Sequence, residues 1–286
     1  MDYLMLRTFD HSGYYETRLI LMVISITVAI YMLYNRKDRR YLLIYLSGIL
    51  FTTIGEFLLQ KNGLRGPGFG ISLFGTTMPK AVAPVLIGLI DGGSWALISF
   101  WFADLRSSQS EQKKWIPFYI VSLLTLVLST VAGQVSKNDP VSSSRPLFET
   151  LIISVITTII FVSFIVAWRK DGISQMANYY AGLLFFSMMS LLPLHLLGAR
   201  YIGIENGLQI THATTAYQVA LSVLSLSFDS AGGRVHFFII PFALGIVRLM
   251  TPEDYRITER YSMQHLQALT QRGWRKKSKP FRSKPF

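Results

Sequence analysis

Apolar positions in this chain gather into runs of about twenty residues, separated by short polar breaks. A helix of that length spans a bilayer core of about 30 Å. The pattern predicts membrane helices at 17–34, 41–60, 81–103, 115–133, 147–167 and 178–198. Two more apolar stretches, 209–229 and 234–250, flank Gly232-Gly233. As one helix they would measure roughly 60 Å, so they are two spans, or one span with a bent or interfacial extension. Pro241 kinks the second piece. The expected fold is an all-α, polytopic membrane bundle of about seven transmembrane helices, with an eighth membrane-embedded segment allowed. Residues 1–250 would form one transmembrane domain, and 251–286 a basic cytoplasmic tail.

Polar positions within the apolar runs carry the next signal. Thr211, Thr215, Gln218, Ser222, Ser225 and Asp229 recur at alternating steps of four and three, which puts them on one helix face. In a membrane such a stripe faces other helices or a wet cavity. Glu56 shares a face with Tyr45, Gly48, Thr52 and Gln60. Asp91 lies mid-span, four residues before Trp95, and Gly88 and Gly92 beside it form a small-xxx-small pair that lets another backbone approach. Asp91 also marks a possible helix break at Gly92-Gly93.

Charge sets the expected orientation. Arg36, Lys37, Arg39 and Arg40 crowd one short loop, Arg106, Lys113, Lys114, Arg169 and Lys170 fall in the alternate loops, and the tail is basic. The positive-inside rule then places the N-terminus outside the cell membrane and the C-terminus in the cytoplasm. Glu56, His195, His212 and Thr215 fall in the outer third, Asp91 nearer the middle, and Asp229 near the inner face. The Gly-rich connection 62–80 would lie over the outer group as a lid.

Composition narrows the chemistry. The net charge of +12 would suit nucleic acid, but much of it sits in the tail, so anionic lipid headgroups at Trp274–Phe286 are expected instead. Zero cysteines exclude disulfides, thiolate metal sites and cysteine nucleophiles. The apolar run near Leu19 follows Asp10 and Glu16 without a cleavage site and reads as a first span. The sequence holds no Walker motif, GxSxG elbow or HExxH pair, so no metal and no cofactor are expected.

Ionisable groups inside spans are costly and are functional candidates by default. Glu56, Asp91, His195 and His212 are the candidate catalytic residues; Thr52, Gln60, Trp95, Thr215 and Gln218 are candidate substrate contacts, with Asp229 and His236 secondary. Glu56 in Ile54-Gly55-Glu56-Phe57 and Asp229 in Ser227-Phe228-Asp229-Ser230 loosely resemble the two functional acids of the small integral-membrane terpene cyclases. The likeness covers only these few residues, and the expected topology puts the two acids at opposite faces, so membership is not assigned. The leading expectation is an integral-membrane enzyme acting on a lipid or isoprenoid-like substrate by acid/base chemistry. A proton- or cation-coupled transporter, or a non-catalytic subunit bound to other membrane proteins, are the rival expectations.

Overall fold

A computed structural model describes residues 2–11, 13–65, 69–168, 171–206 and 209–254. The predicted tail site Trp274–Phe286 lies outside the described residues. The chain is mostly helical, and five helices are long and apolar enough to cross a membrane. They are α1 (Tyr14–Asn35), α2 (Arg40–Lys61), the helix Ala83–Ser107, α5 (Gln112–Ser136) and α7 (Gly172–Leu196). Helix Ala83–Ser107 consists of α3 (Ala83–Ile87), a π turn (Gly88–Gly92) and α4 (Gly93–Ser107). Between α5 and α7 lies α6 (Leu147–Trp168). Outward positions on α5 and α6, such as Ile120, Leu123, Ile156 and Ile160, are exposed and apolar. That is the surface a lipid-facing helix presents.

One end of the bundle carries a four-stranded antiparallel sheet that the hydropathy pattern did not announce. Its order is β4 (Ser143–Pro146), β1 (Asp2–Arg7), β5 (Arg200–Asn206), β6 (Gln209–His212). The sheet ties the N-terminus to the α5–α6 connection and to the segment that follows α7, so all three lie at the same end. Met5, Leu147 and Ile202 are buried together on one face of it. A small hairpin, β2 (Ser72–Leu73) with β3 (Thr76–Thr77), lies in the Gly-rich connection.

The stretch 209–250 crosses the bundle once rather than twice. It leaves the sheet at β6, runs through α8 (Thr215–Leu224), a π turn (Ser225–Ala231) and a 3-10 turn (Gly232–Arg234), and continues as α9 (His236–Ala243). At the far end the Leu249 N–H donates to Gln175 in the first turn of α7, and the Met250 N–H donates to Asp104 in the last turn of α4. Asp229 therefore lies midway along this crossing and not near its inner end, as the earlier boundary at 229 implied. The stripe is also shorter than the spacing suggested, because Thr211 and His212 belong to strand β6.

Helix α4 is the packing centre, enclosed by α7, α2, α1, α5 and α9. Its approach to α2 depends on small residues. A Cβ on Gly48 would meet the Gly92 carbonyl and Ala96, and one on Gly88 would meet Thr53 and Ile49. The small-xxx-small reading thus holds. The glycine pair Gly92-Gly93 does not break the helix; the backbone widens into a π turn and continues.

Candidate functional site

The polar core of the protein lies in the half of the bundle nearest the sheet, and Arg18 is its hub. It sits one turn into α1 with only 1% of its surface exposed. Its Nη2 donates to Ser190 Oγ at 2.7 Å and to the Ser190 carbonyl at 3.1 Å on α7, and to Ser129 Oγ at 3.3 Å on α5. The guanidinium lies 4.6 Å from the Tyr14 ring centroid. Its Nε is 3.6 Å from Asp91 Oδ1 in the π turn. One arginine therefore joins four membrane helices. Such a charge survives in a low-dielectric interior only when paired and hydrogen-bonded.

Asp91 is held more loosely than its partner. At 3.6 Å its contact with Arg18 is an ion pair beyond hydrogen-bond length, and Oδ1 accepts no hydrogen bond among the described residues. The π turn sets this position, since one extra residue in the turn rotates the helix that follows; π turns are frequent at functional sites. One helical turn on, Trp95 is fully buried, edge-on to Phe186 at 4.8 Å. The Arg234 guanidinium lies over its ring at 4.1 Å. Trp95 Nε1 and the hydroxyl of buried Tyr179 on α7 make no hydrogen bond among the described residues. Tyr179 stacks on Phe238 of α9 at 4.8 Å. Asp91 thus lies one helical turn from the ring cluster around Trp95.

Glu56 is bound differently. Arg65, from the connection beyond α2, donates Nε to Oε2 at 2.7 Å and Nη2 to Oε1. Both side chains are buried, and Arg65 lies over the Phe69 ring at 5.1 Å. Burial alone would lower the basicity of the Arg65 guanidinium; the Glu56 carboxylate outweighs this, with Tyr15 and Asp10 adding to it, and holds the group above its ordinary value. Tyr15 donates to Asp10 at 3.3 Å, and Ser142 and Ser143 donate to the other Asp10 oxygen. The Tyr14 and Tyr15 rings meet edge-to-face at 5.2 Å, so two tyrosines bridge the Arg18–Asp91 pair and the Glu56–Arg65 pair.

The remaining candidates do not join this layer as one group. His195 Nδ1 is 3.0 Å from Ser222 Oγ on α8. His212 is exposed on β6 and stacks on Tyr201 at 4.2 Å, which corrects its expected place inside a span at 209–229. Thr215 is exposed. Gln218 bonds both the N–H and the carbonyl of Ile202, tying α8 to β5. Thr52 lies where Gly92 has no side chain, in the α2–α4 contact, with a buried hydroxyl that makes no hydrogen bond among the described residues. Gln60 is half-buried near the end of α2. His236 packs among Phe51, Phe161 and Phe237. The Asp229 side chain is outside those described. Among the described residues no group of three His, Cys, Asp or Glu side chains could hold a metal.

The sequence reading missed Arg18, Arg65 and Arg234. Arg18 had a readable signal, a cation inside the first apolar run and seven residues from Ser25 on one face. Arg65 had none, because its partner lies across an irregular loop. Comparison with family models, curated proteins and solved structures gives no match for the chain.

Proposed function

We propose that this is an integral-membrane enzyme that moves a proton on a lipid or isoprenoid-like substrate, with Asp91 as the exchanging group. The observation that carries this is the contrast between the two buried acids. Glu56 is committed to Arg65 through both oxygens, whereas Asp91 keeps an oxygen without a hydrogen bond among the described residues. The side chains around Trp95 are mostly aromatic with few polar groups, a lining that suits a lipophilic molecule with one polar end. A carboxylate oxygen that accepts no hydrogen bond from the protein is available to a reacting group of the substrate. Arg18 orients Asp91, and Trp95 Nε1, one helical turn on, is the donor proposed to meet the substrate. In this role Glu56 holds the outer connection closed, and His195 and His212 take no part.

The topology belongs to the same proposal. The five long apolar helices, α6 and the broken helix from α8 to α9 make seven crossings. The basic loops lie at the end opposite the sheet, which favours that end as cytoplasmic. Anionic lipid headgroups remain the proposed partner of the Trp274–Phe286 tail. A peptide of that sequence should bind anionic vesicles, weaken with salt and ignore neutral ones; equal binding to both would reject the electrostatic account.

The enzyme reading is tested with the full chain in lipid nanodiscs in D2O, against a panel of isoprenoid alcohols and polyprenyl lipids. Proton transfer to carbon places a solvent deuteron in the product, which mass spectrometry reads. Asp91→Asn should remove the label by at least about a hundredfold, and His212→Ala should not. Proton flux in proteoliposomes without any labelled product would replace this reading with coupled transport.

A further inference from the structure

A second site lies away from the polar core, on the rim of the sheet. There a depression of about 200 Å³ is lined by Tyr3, Leu4, Pro146, Phe148, Glu149 and Glu205. Its parts come from β1, the end of β4, the first turn of α6, and β5. Tyr3 lies at the centre of a ring array, edge-on to Phe148 at 5.6 Å and tilted to Tyr217 at 5.9 Å. Among the described residues no lysine or arginine lines the depression, in a chain of net charge +12. Glu149 has a local reason to be there, since an acid in the first turn of a helix is favoured by the backbone dipole. Glu205, on strand β5, has none of that kind.

We propose that this depression binds a compact organic cation of the quaternary ammonium class. Such an ion is attracted to aromatic rings within about 6 Å of a centroid, and it sheds its weakly held water at little cost. Two carboxylates supply the counter-charge. They fall short of the six to eight oxygens a calcium ion takes, so a metal is the poorer occupant. The site stands at the junction of the sheet with the first turns of α6 and α8, where both a lipid headgroup and a soluble cation have access. The shared chemistry is a trimethylammonium group.

The test uses the full chain in nanodiscs of phosphatidylglycerol, which carry no choline, with radiolabelled choline as probe. Saturable binding is expected, displaced by tetramethylammonium but not by 3,3-dimethylbutanol, the neutral choline isostere. Tyr3→Leu and the double variant Glu149→Gln with Glu205→Gln should each weaken it at least tenfold. Absence of saturable binding, equal displacement by the neutral isostere, or unchanged binding in variants that keep their helical circular dichroism would each overturn the proposal. The isostere comparison needs no variant, so a folding defect does not blunt it. Nanodiscs containing phosphatidylcholine separate the sources. Phosphatidylcholine retained on the protein in native mass spectrometry, and lost in the double variant, assigns the site to a headgroup; choline binding without retained lipid assigns it to a soluble cation.

Discussion

Arg65 Nε reaches Glu56 Oε2 at 2.7 Å, and the second arm of the same guanidinium takes the other carboxylate oxygen. This closes nine residues of chain back over the end of α2 and fixes the start of the connection above the polar core. Two further bonds secure it. The Phe74 N–H donates to Glu16 at 2.6 Å, and His11 Nδ1 lies 3.1 Å from Ser72 Oγ. The connection is thus tied to α1 and α2 by side chains and not by packing alone.

Breaking the Glu56–Arg65 pair should therefore open the cover without unfolding the bundle. Arg65→Met leaves Glu56 buried without its partner, a cost of about 3 kcal/mol. Hydrogen exchange should rise on the order of tenfold at 69–78 and stay unchanged in α4 and α7. Uniform loss of protection would mean that the pair supports the whole fold.

The Arg18–Asp91 pair makes the opposite prediction, because Arg18 joins α1 to three other helices. Arg18→Met should lower stability by about 3 kcal/mol or more, since it leaves a carboxylate buried and strands Ser190 and Ser129. Asp91→Asn should cost less, because its Oδ1 has no hydrogen bond to lose. The double variant should fall short of the summed losses, with a coupling of about 1–3 kcal/mol in denaturant unfolding. Additive losses would separate the two residues energetically.

How far the sequence reaches can be judged from these residues. The five long helices were legible to within about two turns, because a twenty-residue apolar run has few alternatives, whereas the division of 209–250 was not. The approach at Gly88 and Gly92 was legible for a similar reason, since little else explains small residues four apart in a span. The sheet was not. Its strands β1 and β4 are more than 130 residues apart, and β4 sits in a serine run that reads locally as a turn. Strand β5 does alternate, with Ile202 inward and Tyr201 outward of it, but lies beside apolar runs that dominate any hydropathy window. Asp91 and Trp95 could be named as candidates from their burial cost, whereas their partners Arg18 and Arg234 come from other helices. A single sequence does not pair them.

Glycine substitutions on α2 should separate close packing from helix propensity. Gly48→Ala puts a methyl group against the Gly92 carbonyl and Ala96, and should cost about 1–3 kcal/mol. Gly55→Ala on the same helix meets nothing within 4 Å, and should be neutral or stabilising by up to about 1 kcal/mol. Thermal unfolding in detergent reads both. Equal effects would show that α2 and α4 do not rely on the close contact.

Asp104 makes a separate lock at the other end of the bundle. It accepts from both arms of Arg40, at 2.8 and 3.0 Å, from the Tyr41 hydroxyl at 3.1 Å and from the Met250 N–H at 2.9 Å. Arg40 also donates to the Arg248 carbonyl at 2.7 Å. Asp104→Ala should release the segment after α9, and trypsin should cut at Arg248 several-fold faster. An unchanged rate would mean that the Gln175 bonds to Leu249 hold the segment unaided.

Orientation can be read with a pair of introduced thiols, because the chain has no cysteine of its own. Lys37 lies between α1 and α2, at the end opposite the sheet, and Lys137 follows α5 at the sheet end. Both are exposed, so neither substitution disturbs packing. Lys37→Cys and Lys137→Cys should react with a membrane-impermeant maleimide from opposite sides of sealed vesicles, Lys137→Cys from outside. Labelling from one side would sink the proposed crossings. Opposite labelling with Lys37→Cys outside would keep the crossings and invert the protein, turning the Glu56–Arg65 cover and the aromatic depression toward the cytoplasm.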